Sequence, residues 1–207
     1  MYTHTKQYIT DGLPLNEAKK AIIMIHGRGA DAAGMVSLKK HLPLADMAII
    51  APQATNHSWY PYSFMAPEAN NQPALDSALK VIGEIVEDVK AKGIPTENIY
   101  FLGFSQGACL SLEYVGRNAQ GYGGVIALTG GLIGQQLKPE NYKGDFAGTR
   151  IFVSTNNPDP HVPVDRVEAS IDILKNLHAD TQLKIYDGRP HTITVDELAL
   201  AAAFVFQ

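Results

Sequence analysis

Cysteine is nearly missing from this chain. It holds one cysteine, Cys109, in 207 residues, and a lone cysteine closes no internal disulfide and supplies no thiolate zinc cluster. An excess of basic charge is missing too. With 17 Lys+Arg against 21 Asp+Glu the net charge is -4, which leaves no electrostatic footprint for nucleic acid or an anionic membrane. Nor is there a long apolar run: the most apolar late stretch, Leu198–Phe206, has nine residues, well short of the roughly 20 that span a bilayer. The N-terminal MYTHTKQYITDG has neither a basic n-region nor an apolar h-region, so no secretory signal is read and a cytoplasmic location is expected. Neither a metal nor a cofactor is expected. What remains is ample core material, 45% hydrophobic against 18% charged, in a length that suits one domain over 1–207.

Short apolar runs alternate with helical patterns. Ala21–His26, Met47–Ala51, Ile99–Phe104, Gly124–Leu128, Arg150–Ser154 and Thr181–Tyr186 read as strands, most of them continuous rather than alternating, as suits strands covered on both faces. The clearest helix runs from Ala74 to Lys92, where Leu75, Ala78, Leu79, Ile82, Ile85, Val86 and Val89 form one stripe and Gly93 with Pro95 supplies the stop. Val164, Val167, Ile171 and Leu174 mark a second helix, and the segment from Thr194 onward a third. The alternation implies an α/β fold with a mostly parallel central sheet and helices on both faces. In such sheets, sites form beyond the carboxyl ends of the strands. Two irregular stretches, Pro52–Pro73 and Thr129–Gly148, are long for connectors and are expected to shape a substrate site.

One strand end carries Gly103-Phe104-Ser105-Gln106-Gly107, a G-x-S-x-G followed by a helical pattern. A strand-to-helix turn this tight lifts the serine above the sheet and leaves room only for small residues two positions to either side, hence the glycines. A serine needs a base and an orienting carboxylate, in the chain order Ser, acid, His. Downstream histidines are His161, His178 and His191. His178 ends a helical pattern, whereas His191 sits in the Asp187–His191 loop after the last strand, where a base must be; His161 is the runner-up. For the acid, Asp159 follows the Arg150–Ser154 strand in a loop stiffened by Pro158, Pro160 and Pro163. Its competitors are Asp165, in the first turn of the next helix, and Asp187, close in sequence to His191.

The first apolar run ends His26-Gly27-Arg28-Gly29-Ala30. Acyl transfer needs backbone donors for the oxyanion, one from this loop and one from the residue after the nucleophile, which names the N–H groups of Arg28 and Gln106. Gly27-Arg28-Gly29-Ala30-Asp31-Ala32 also fits G-x-G-x-x-G/A, a dinucleotide fingerprint, but no acid closes the second strand, which runs into Ala51-Pro52-Gln53. Trp59, Tyr60, Phe64 and Met65 cluster in the Pro52–Pro73 stretch as candidate walls of an acyl pocket, or as packing for that loop. Cys109 reads as a small buried helix residue.

Taken together, I-H-G-R-G at 25–29, A-P-Q at 51–53, W-Y at 59–60, G-F-S-Q-G at 103–107, D-P-H-V-P at 159–163 and His191 resemble the phospholipase/carboxylesterase family of α/β-hydrolases, over nearly the whole chain. That resemblance implies an α/β-hydrolase fold, and since a strand–helix core of this kind needs nearly all of 207 residues, no separate cap domain is expected. It also implies a serine hydrolase of carboxylic esters, thioesters or lysophospholipids, with Ser105 as nucleophile, Asp159 as orienting acid, His191 as base, and Arg28 and Gln106 as oxyanion donors. Two stretches depart from the pattern: Ser154-Thr155-Asn156-Asn157 stands where many members have His-Gly, and the Gly-x-x-His tail is Gly188-Arg189-Pro190-His191. A non-catalytic binding protein and a lyase on the same fold are the other classes open to this sequence. The expected partner is a small-molecule ester, with no nucleic acid and no integral membrane segment; exposed edge strands and loop aromatics leave room for a homodimer.

Overall fold

The computed structural model describes residues 1–207. Seven strands form one sheet: β1 (Tyr8–Gly12), β2 (Lys20–Ile25), β3 (Met47–Pro52), β4 (Ile99–Phe104), β5 (Gly124–Leu128), β6 (Arg150–Asn157) and β7 (Asp180–Asp187). Their spatial order is β1-β3-β2-β4-β5-β6-β7, with every neighbouring pair parallel except the antiparallel β1–β3 edge. The helices are α1 (Ala32–Val36), α2 (Glu68–Asn71), α3 (Ala74–Ala91), α4 (Gln106–Arg117), α5 (Val164–Asn176) and α6 (Val195–Val205).

Why the continuous apolar strands arise is visible in β2. Ile22 and Met24 face one core, with Met35, Leu102, Ile126, Leu198 and Val205, while Ile23 and Ile25 face the other, with Ile82, Val86, Phe101 and Val125. Successive strand side chains point to opposite faces, and both faces are covered, so no polar position survives. Stripe residues Leu75, Ala78, Ile82, Ile85, Val86 and Val89 of α3 are all buried. The Thr194 hydroxyl and Glu197 cap the start of α6 reciprocally, a capping box that satisfies two of its free N–H groups.

Strand β1 is the one strand outside the expected set. Its five residues end in Asp-Gly and are mostly exposed; pairing to β3 from Tyr8↔Pro52 to Gly12↔Ala48 makes it a strand, which a local pattern does not reveal. No helix is long and apolar enough to cross a membrane.

Candidate active site

Four strand ends converge at the carboxyl edge of the sheet. Ser105 follows β4 directly and caps α4 with φ 54° and ψ -116°, a left-handed conformation that a non-glycine residue holds only when its surroundings enforce it. They do so at van der Waals range. A Cβ on Gly103 would stand 2.3 Å from the Gly107 carbonyl oxygen, and one on Gly107 would stand 2.1 Å from that of Ile25. The two glycines of the motif are therefore what lets the turn close against β2. The Ser105 N–H also donates to Leu128 O at 2.9 Å, fixing the turn to the end of β5.

Ser105 Oγ lies 2.8 Å from His191 Nε2, and His191 Nδ1 lies 2.8 Å from Asp159 Oδ2. A carboxylate only accepts, so Nδ1 carries the proton and Nε2 is left to accept from the serine hydroxyl. The Asp159 side chain is fully buried and that of His191 one-fifth exposed. Both Asp159 oxygens are occupied: Oδ1 accepts the N–H groups of His161 and Val162, and Oδ2 also accepts Asn156 Nδ2 at 3.0 Å. Burial pushes the Asp159 carboxyl up, but these hydrogen bonds outweigh it and hold the group below the ordinary 3.8.

Competing residues lie elsewhere. His161 is exposed, stands edge-on to His191 with ring centroids 5.5 Å apart, and makes no bond to Ser105. His178 pairs with Asp145 at 3.0 Å on the surface. Asp165 sits in the first turn of α5, and Asp187 closes β7 opposite Asn157.

Beside Ser105, Gln106 opens α4, where a first-turn N–H has no partner in its own helix. The Arg28 N–H donates to no protein acceptor. Behind it, buried His26 donates from Nδ1 to Gly27 O at 2.7 Å and accepts at Nε2 from Ala54 N at 3.1 Å, which ties this loop to the end of β3. Burial keeps His26 below its ordinary 6.5 and hence neutral, despite its bond to the Gly27 carbonyl.

Besides the backbone roles expected of them, Arg28 and Gln106 hold the adjoining loop with their side chains. Arg28 donates to Pro61 O and Tyr62 O at 2.8 and 2.7 Å, and Gln106 donates to Tyr60 O at 2.8 Å while accepting from Trp59 N at 2.7 Å. Further along, Asn71 accepts from Tyr62 N and donates to Ser63 O; upstream, Tyr2 donates to Ser58 O and His4 to Trp59 O. These residues carried no motif, and only the fold brings them to the loop.

That loop walls a cavity of about 590 Å³ over Ser105, whose lining includes Tyr60, Phe64, Met65, Cys109, Val162, His161 and His191. Trp59 is a correction. It is fully buried, points its Nε1 to His26 O at 2.9 Å and does not line the cavity; a ring that packs the loop onto β2 has no face left for substrate. Thr129–Gly148 is a second correction, since the opposite wall is Pro160–Pro163 instead. The Thr129–Gly148 stretch is anchored to α4 by buried Glu113, which accepts from Ile133 N and Tyr142 OH. Burial pushes the Cys109 thiol up to about 12, leaving it a neutral floor residue. No group of three or more His, Cys, Asp or Glu side chains is arranged to hold a metal ion.

A parallel sheet with an antiparallel first edge, a serine on a strained strand-to-helix turn, and a histidine and an aspartate on later strand ends define an α/β-hydrolase. Within that class, the family model described as phospholipase/carboxylesterase matches residues 13–206. The chain belongs to this family of ester-bond hydrolases. Acyl-protein thioesterase 1 of Eremothecium gossypii is 28% identical over 206 residues, covering 91% of this chain and 87% of its own. A crystal structure of a phospholipase/carboxylesterase from Dyadobacter fermentans is 61% identical, covers 100% of this chain and 99% of its own, and superposes with a TM-score of 0.99. The Bacillus cereus carboxylesterase, 15% identical, shares the fold at a TM-score of 0.79, with 97% and 93% of the two chains covered.

Proposed function

We propose that the chain is a single-domain serine hydrolase, 1–207, that cleaves carboxylic esters or thioesters through an acyl-enzyme. The observation that carries this reading is the continuous bond line from Ser105 through His191 to Asp159. His191 takes the serine proton as Ser105 Oγ attacks the acyl carbon, then returns it to the leaving alcohol or thiol. Asp159 holds the imidazole in the Nδ1–H tautomer and stabilises the imidazolium. The N–H groups of Arg28 and Gln106 receive the oxyanion at the positive end of α4. Water then enters and releases the acid by the same steps reversed.

The acyl group takes the Tyr60, Phe64, Met65 and Val162 side of the cavity, which is apolar and open to solvent. A kcat/KM series of p-nitrophenyl esters from acetate to palmitate, with one acyl thioester, tests this. Turnover of short and medium esters is expected, and Ser105→Ala lowers kcat by about 10⁴-fold or more. Undiminished hydrolysis by that variant would show that the serine is not the nucleophile.

A further inference from the structure

The two stretches in which this chain departs from its family pattern meet behind the proposed acid. Asn156, fully buried near the end of β6, donates from Nδ2 to Asp159 Oδ2 at 3.0 Å, the oxygen that also accepts His191 Nδ1. Its Oδ1 accepts Arg189 Nε at 2.9 Å. A guanidinium can only donate, so Arg189 dictates which way the Asn156 amide faces: oxygen toward Arg189, NH2 toward Asp159. Reversal would set two donors against each other and leave the carboxylate facing an amide oxygen.

Arg189 is itself fixed on three sides. Nη2 donates to Glu197 Oε1 at 2.8 Å, Nη1 donates to Thr194 Oγ1 at 3.3 Å, and the guanidinium lies 3.8 Å above the Tyr186 ring. Glu197 has no exposed side chain and Arg189 only 12%, so each charge is neutralised by the other away from water. The chain of contacts thus runs from the first turn of α6 to the reacting serine: Glu197, Arg189, Asn156, Asp159, His191, Ser105.

We propose that Asn156 and Arg189 are positioning residues that act through Asp159, aiming its carboxylate at His191; the claim rests on the Ser105–His191–Asp159 reading above. Neither residue touches the cavity, so their removal should lower kcat and leave KM almost alone. Arg189 also ties the Gly188–His191 loop to α6, and a purely structural role of that kind would add to the loss of Asp159 rather than vanish with it.

The test is a double-mutant cycle on p-nitrophenyl acetate hydrolysis, with folding followed by circular dichroism. Asn156→Ala is expected to reduce kcat about tenfold with KM within about twofold, yet to reduce it less than about twofold further in an Asp159→Asn background. Arg189→Lys keeps a cation for Glu197 but cannot reproduce the Nε bond to Asn156. It should show the same kcat loss and the same disappearance in the Asp159→Asn background, and it carries the test should Asn156→Ala fail to fold. Equal tenfold losses with and without Asp159, or full kcat in Arg189→Lys, would overturn the inference. Full activity of Asp159→Asn alone would instead overturn the reading on which it rests.

Discussion

At the scale of single residues, Gly103 and Gly107 each leave no room for a methyl group, a steric demand that any such turn makes and that renders the G-x-S-x-G motif legible. Adding one at Gly107 should destabilise the fold by about 1–3 kcal/mol or more, measured as a lower urea midpoint for Gly107→Ala. His161 and His191 were harder to tell apart, because both fall in loops after strands; His191 alone reaches Ser105. His191→Ala is therefore expected to lose about 10⁴-fold or more in kcat, and His161→Ala less than about tenfold, in parallel p-nitrophenyl acetate assays. Asp187→Asn should likewise stay near wild-type kcat while Asp159→Asn falls by about 10⁴-fold. Asn156 and Arg189 fall in the two stretches that depart from the family pattern, but their roles are not legible there, since a buried amide and a loop arginine acquire them only from partners 33 residues apart.

At the scale of elements, helices and buried strands were legible wherever burial on one or both faces imposed a period. The antiparallel edge β1 and the cavity wall were not. The Ser58–Ser63 segment, which lines the cavity from Tyr60 onward, makes no regular ladder; side chains from Tyr2, His4, Arg28, Asn71 and Gln106 capture its backbone groups one by one. Aromatic clustering in the sequence therefore pointed to the right loop but could not say that Trp59 packs inward while Tyr60 and Phe64 line the cavity. Gln106→Ala removes one bond to each of Trp59 N and Tyr60 O, leaving buried backbone groups unpaired at a cost of about 1–3 kcal/mol. Its expected signature is a raised KM for medium-chain esters together with a lowered thermal midpoint. Tyr2→Phe, which loses only the bond to Ser58 O, should show a smaller change of the same sign.

At the scale of the whole molecule, strand order does what the α/β pattern promised. It gathers residues more than 160 positions apart in sequence, Arg28 to His191, at one edge of one sheet. The molecule also carries a pH dependence that its composition does not suggest. Burial holds His4 and His26 below their ordinary 6.5, against the opposing pull of the Trp59 and Gly27 carbonyls. The unfolded chain thus binds more protons below that value, so the stability tied to both groups is complete above it and drains away as pH falls through it. Urea midpoints should decline from about pH 7 to about pH 5, and the decline should be shallower in His4→Gln. Asp159, held below the usual carboxylate range, keeps its charge across that interval. Acylation of Ser105 with help from His191 is read out by intact-protein mass after reaction with a fluorophosphonate ester. One adduct per chain is predicted, mapping to Ser105, absent from Ser105→Ala and formed far more slowly by His191→Ala; an adduct on another residue, or undiminished labelling of Ser105→Ala, would contradict it.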